Sequence, residues 1–201
     1  VLDAVHSLVH SEGLAADGVF CSGQGVGLND FINEAGQGTT LMTDGDAHAR
    51  MRTVIGRPLT PRALAELQSE VQQIADALVD GLVARGSFDA VTDLAEPIPL
   101  TWVPDLLGWP DDGRDRLLAW GAASFNGLGP LNERALGAGA DLLEMVEFAT
   151  GVAESGDLPP SSMAAGILDA AARGEIEPER CPSMMVDYLG PSLDTTISAL
   201  G

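Results

Sequence analysis

Between Thr60 and Gly86 the apolar residues Leu64, Leu67, Val71, Ile74, Leu78 and Leu82 recur at steps of three and four, the spacing of a long α-helix with one buried stripe. Its ends are marked as well. Thr60 stands at the N-cap, Pro61 takes the first helical position, where no N–H is needed, and Gly86 stops the run. The same period returns further along. Leu117, Leu118 and Trp120 open a helix that fades into Gly127-Leu128-Gly129-Pro130. Asn132 can cap a successor in which Leu136, Leu142, Leu143, Val146 and Ala149 run towards Gly156. Residues 163–173 form a short helix after Pro159-Pro160, and from Pro182 the chain is apolar and helical again. Ser87 to Val91 reads as a short strand, and Pro97, Pro99 and Pro104 should divide the next stretch into short pieces. The expected fold class is mainly α, with roughly eight helices and little strand, residues 1–201 forming one domain or a piece of a larger one.

Apolar residues make up 45% of the 201 and aromatics only 4%, so a core is affordable but should be built from Ala, Leu, Val and Ile. Thirty acidic residues face ten basic ones, all arginine, for a net charge of −20. No window supplies the clustered cations that phosphate binding needs, which argues against nucleic acid and anionic membranes as partners. No apolar run reaches the roughly 18 residues of a transmembrane helix. Cys21 and Cys181 lie far apart with no paired spacing, as in a reducing, cytoplasmic setting. The chain opens at Val1 without Met, so an N-terminal targeting segment is left open.

Several clusters could carry chemistry. His6 and His10, four apart, could share a metal, but the flanking Glu of H-E-x-x-H is missing, and a solvated helix face is the simpler reading. Gly23, Gly25 and Gly27 mimic a dinucleotide turn, yet Leu28 occupies the place of its third glycine and no β-α-β unit surrounds it. In Asp44 to Arg57, His48 and Arg52 fall on one helical face, with Met51 and Ile55 on an apolar face beside it. An inward cationic pair suits a buried anion; two solvated polar residues are the plainer alternative. Asp194-Thr195-Thr196 interrupts an otherwise apolar helix, where polar groups are costly unless bonded or used. Pro191 removes a backbone donor just before them, so a kinked or opened helix is expected there. A carboxylic acid and a hydroxyl beside such an opening could deliver protons; a kinked core helix with self-satisfied hydroxyls is the alternative.

In order and spacing, four segments resemble landmarks of the cytochrome P450 haem-thiolate monooxygenases. They are Asp44-Gly-Asp-Ala-His48-Ala-Arg-Met-Arg52, Leu59-Thr60-Pro61-Arg62, Leu106-Leu107-Gly108-Trp109-Pro110 and Leu193-Asp194-Thr195-Thr196. The likeness to soluble bacterial members implies the N-terminal half of that fold, helix B through helix I. The His48 segment would be helix C, residues 61–85 helix D, residues 114–155 helices F and G, and residues 184–201 helix I. His48 and Arg52 would bind the propionates of haem b, and Asp194 with Thr195 would be the catalytic acid–alcohol pair. Residues 19–41 would be the B–C loop roofing the substrate, with Ser22, Leu41, Phe125, Leu128 and Ser192 on the pocket wall. The family's small-residue-plus-Gly before the acid is replaced by Pro191-Ser192. The E-x-x-R and the loop with the proximal cysteine would lie beyond Gly201, so no metal ligand is expected in this chain. Glu177-Pro-Glu-Arg180 spells E-x-x-R in the wrong place and reads as a solvated turn. Neither Cys21, with Leu14 and Asp17 where the motif's Phe and Gly belong, nor Cys181 should be the thiolate.

The resemblance implies oxidation of a small organic molecule by dioxygen, with electrons from NAD(P)H passing through a ferredoxin or flavodoxin-type partner and its reductase. Alone, residues 1–201 should be inactive. The wording of Gly56 to Thr60 and Leu106 to Pro110 resembles members that act on small aromatics, some of them carboxylates. Yet residues 1–49 contain no Arg or Lys, and Val186-Asp187 offer no cation. A carboxylate there would lack a charge-assisted anchor worth about 1.5–3 kcal/mol. The expected substrate is therefore neutral and largely apolar, oriented by groups such as Ser22, Gln24 or Asn29. The alternative is a non-enzymatic all-helical binding or scaffold domain, or a degenerate half-enzyme.

Overall fold

A computed structural model describes residues 38–128 and 132–201. His6, His10, Cys21, Ser22 and the glycines at 23, 25 and 27 lie outside them. Seven α-helices are present among the described residues: α1 (Gly45–Gly56), α2 (Pro61–Arg85), α3 (Pro97–Leu107), α4 (Leu117–Asn126), α5 (Glu133–Ser155), α6 (Met163–Ala172) and α7 (Cys181–Leu200). Short 3-10 turns occupy Arg57–Leu59, Arg114–Arg116 and Pro178–Arg180. No strand occurs among the described residues.

The helix ends follow local chemistry. The Thr60 hydroxyl accepts from the Ala63 N–H at 3.4 Å, Asn132 Oδ1 from Ala135 at 3.1 Å and Ser162 Oγ from Ala165 at 3.1 Å. Helix α2 stops at Gly86 in the left-handed region, as its spacing requires. Of its apolar stripe only Leu82 is buried; Leu67, Val71, Ile74 and Leu78 are half-buried.

Two expectations fail locally. The segment after α2 is a π-helical turn, Ala90–Ala95, rather than a strand. Asp89 Oδ1 accepts from the Val91 and Thr92 N–H groups, and Asp93 Oδ2 accepts from the Asp89 N–H at 2.7 Å, so side chains satisfy the backbone that a partner strand would have served. Those contacts, with the Arg85 pair for Asp93, hold both carboxyls below the usual carboxylate range. Nor do the prolines divide residues 97–107. Pro97 and Pro99 sit in the first turn of α3, where N–H groups have no acceptor to lose, and Pro104 is carried inside the helix.

Helix α7 is the central element, packed against α3, α4, α5 and α6, while α4 and α5 form the closest helix pair and α1 rests on α6. Leu189, Leu193, Met184 and Met185 of α7 are fully buried. The core is more aromatic and sulfur-rich than composition implied. Trp109 packs on Trp120 with ring centroids 6.3 Å apart, and Phe148 lies 5.2 and 5.1 Å from the two. Trp120 Nε1 donates to Glu144 at 3.1 Å, and Arg116 clamps the same carboxylate, keeping it well below the usual range. The Leu107-Gly108-Trp109 wording thus has a structural cause. Gly108 closes α3 at φ +78, and a Cβ there would stand 2.5 Å from that of Ser162.

Candidate functional site

Helix α1 buries Met51, Val54 and Ile55, which turns the adjoining face, with His48 and Arg52 one turn apart, away from the core. Both line a cavity of about 560 Å³ bordered by α1, α4, α5, α7 and residues 39–42. Phe125 and Leu128, at the end of α4, line it together with Leu142 and Val146 of α5 and with Leu41. From α7 come Val186, Asp187, Gly190, Pro191 and Thr195. The wall is predominantly apolar, with polar groups concentrated on the α1 and α7 sides.

Helix α1 is held in place by several contacts. The Tyr188 hydroxyl donates to the Ile55 carbonyl at 2.6 Å, and burial pushes the phenol pKa well up. Arg50 pairs with Glu177 at 3.1 Å, and Arg57 pairs with Glu175. Arg180 reaches back to Thr43 Oγ1 at 3.3 Å and the Met51 sulfur at 3.5 Å. The Glu177–Arg180 segment is therefore not merely a solvated turn; it clasps α1 to the start of α7. Arg52, by contrast, makes no ion pair or hydrogen bond among the described residues.

On α7 the helical pattern runs unbroken through Pro191, so the expected opening before Asp194 is not seen. Pro191 supplies no N–H to the Asp187 carbonyl, but its own carbonyl accepts the hydrogen of Thr195 Oγ1, one turn on. Gly190 meets Ser124 of α4 closely, since a Cβ would come within 3.3 Å of Ser124 Oγ. Asp194 flanks the cavity-lining stripe without joining it, half-exposed and with no bonded partner among the described residues. Ser192 is likewise off the cavity wall. Cys181 is buried in the core and its thiol is pushed up, by burial first; it does not line the cavity.

Asp187 was noted from sequence only for the charge it does not carry. Its Oδ2 accepts the Thr40 N–H at 2.7 Å, and burial raises its carboxyl to about 6 against the opposing effects of Thr40 and Arg52. The signal was present: a lone acid inside Met184-Met185-Val186-Asp187-Tyr188-Leu189, two turns before Thr195 on the same face.

Comparison with known proteins adds the following. No protein-family model matches the chain. Cytochrome P450 CYP199A2 of Rhodopseudomonas palustris is 35% identical over 185 residues, covering 90% of this chain and 45% of that protein. Among solved structures, P450BioI in complex with an acyl carrier protein superposes with a TM-score of 0.76 at 16% identity, over 88% of this chain and 46% of the other. The thaxtomin hydroxylase cytochrome P450 TxtC does so with a TM-score of 0.74 at 19% identity, over 98% and 51%. The chain thus spans about half the length of these relatives.

Proposed function

Because the chain belongs to the cytochrome P450 family and carries part of that fold, we propose that it forms the distal side of a haem monooxygenase acting on a small, neutral, largely apolar substrate, aromatic in character. The observation that carries this reading is the cavity in which His48, Arg52 and Thr195 meet across an apolar chamber. Haem fits the residues present: Arg52 is a guanidinium that makes no ion pair or hydrogen bond among the described residues, one turn from an imidazole on the same wall. Arg52 and His48 would hold the two propionates. When bound, the haem supplies the redox-active iron at which dioxygen is reduced.

The chain's own residues have distinct tasks. Leu41, Phe125 and Leu128 would hold the substrate body by apolar contact, while Ser192 lies off the cavity wall. Thr195 Oγ1 gives its hydrogen to the Pro191 carbonyl, which leaves its lone pairs free to take up a proton at the cavity edge. Asp194, half-exposed, would bring that proton from outside. Electrons would come from NAD(P)H through a ferredoxin or flavodoxin-type protein and its reductase, in the cytoplasm. No helix among the described residues is long and apolar enough to cross a membrane.

The test is carbon monoxide difference spectroscopy of the full-length protein. A thiolate-type reduced carbonyl band is expected. Failure to take up haem at all would return the chain to a non-enzymatic helical scaffold.

A further inference from the structure

Asp187 is the only acidic side chain on the cavity wall among the described residues, and nothing in the haem-binding or proton-delivering arrangement uses it. Its surroundings are uneven. The Thr40 N–H donates to Oδ2 at 2.7 Å, the Thr40 hydroxyl serves the same carboxylate, and no other described residue donates to it. The other titratable groups on the wall are His48 and Arg52 of α1; the neighbouring Tyr188 phenol is committed to the Ile55 carbonyl. Helices α4 and α5 contribute only Ser124 and apolar residues, and the Ser124 hydroxyl donates to the Trp120 carbonyl at 2.9 Å. A carboxylate whose described donors are the two groups of one residue keeps acceptor sites to spare, and burial in the apolar chamber raises it to about 6.

Resting on the reading of this cavity as a substrate chamber, we propose that Asp187 selects the substrate: a neutral apolar molecule bearing a hydroxyl, whose O–H donates to the Asp187 carboxylate. A hydroxyl is cheaper to desolvate than a charged group and supplies a further donor. A substrate carboxylate would instead meet a like charge, and a methyl ether of the same shape would offer the acid no donor.

The experiment measures dissociation constants by titration calorimetry on the full-length, haem-loaded protein at pH 7.5, with 4-ethylphenol, 4-ethylanisole and 4-ethylbenzoate. The phenol is expected to bind about tenfold or more tighter than the anisole, as a charge-assisted hydrogen bond allows, and the benzoate weakest. In wild type the phenol's advantage should shrink as the pH is lowered through about 6, where Asp187 takes up its proton. In Asp187→Asn, which keeps an acceptor for Thr40, the advantage should disappear while the anisole constant stays the same. Equal binding of phenol and anisole by wild type, an advantage that survives D187N, or no binding of any of the three to haem-replete protein overturns the proposal. None of these results touches haem uptake, whose failure in the carbon monoxide spectrum would instead reject the monooxygenase reading.

Discussion

Arg52 is a guanidinium that spends its donors on no described neighbour, and this makes it a sensitive probe of what the cavity holds. If it grips a propionate, Arg52→Ala should lose a charge-assisted contact of about 1.5–3 kcal/mol, seen as at least tenfold faster haem transfer to an acceptor apoprotein. Thr195→Val keeps the shape but removes the hydroxyl, and should lower product formed per NAD(P)H consumed several-fold with little change in substrate affinity. Asp187 gives a pH prediction. Burial raises its folded-state carboxyl from 3.8 to about 6, so its contribution favours the fold below about 4 and is lost as pH rises through about 6. D187N should flatten that part of the stability–pH curve, measured by thermal melting of the full-length protein. His48 and Arg52 were legible as a pair because a four-residue step fixes a shared face whatever the tertiary context. Asp187 was not, because a period-3.6 stripe says where a residue points but not that its partner is a backbone N–H 147 positions away.

Elements show the same division. Caps are short-range chemistry, so Thr60, Asn132 and Gly86 could be read directly. Residues 87–91 form no strand, because so short a run carries no information on whether a neighbouring strand exists; Phe88 and Val91 end up exposed. Proline misled for a related reason: Pro97 and Pro99 fall in a first turn that has N–H groups to spare, which depends on where the helix begins. The clasp between α1 and residues 175–180 could not be foreseen, since the ion pair Arg50–Glu177 joins residues 127 positions apart. Tyr188→Phe should cost about 1–3 kcal/mol in unfolding free energy by chemical denaturation, because it strands the buried Ile55 carbonyl. Gly108→Ala should cost more than about 1 kcal/mol in the same assay, as it forces a Cβ into a left-handed turn against Ser162.

At the scale of the molecule, the mainly helical class followed from periodicity alone, whereas the composition of its centre did not. A 4% aromatic content hides that Trp109, Trp120 and Phe148 are gathered at one α3–α4–α5 junction. That junction sets α4 against α5, and α7 against both, so that Phe125, Leu142 and Thr195 border one chamber opposite α1. The central claim is that this chamber is the distal side of a haem pocket, with its acid-binding end on α1. A crystal structure of the full-length, haem-loaded protein tests it most directly. The propionate oxygens should lie within hydrogen-bonding distance of Arg52 and His48, with Thr195 on the face of the ring where substrate binds. Propionates held by other residues, with the Arg52 and His48 side chains turned to solvent, would contradict it.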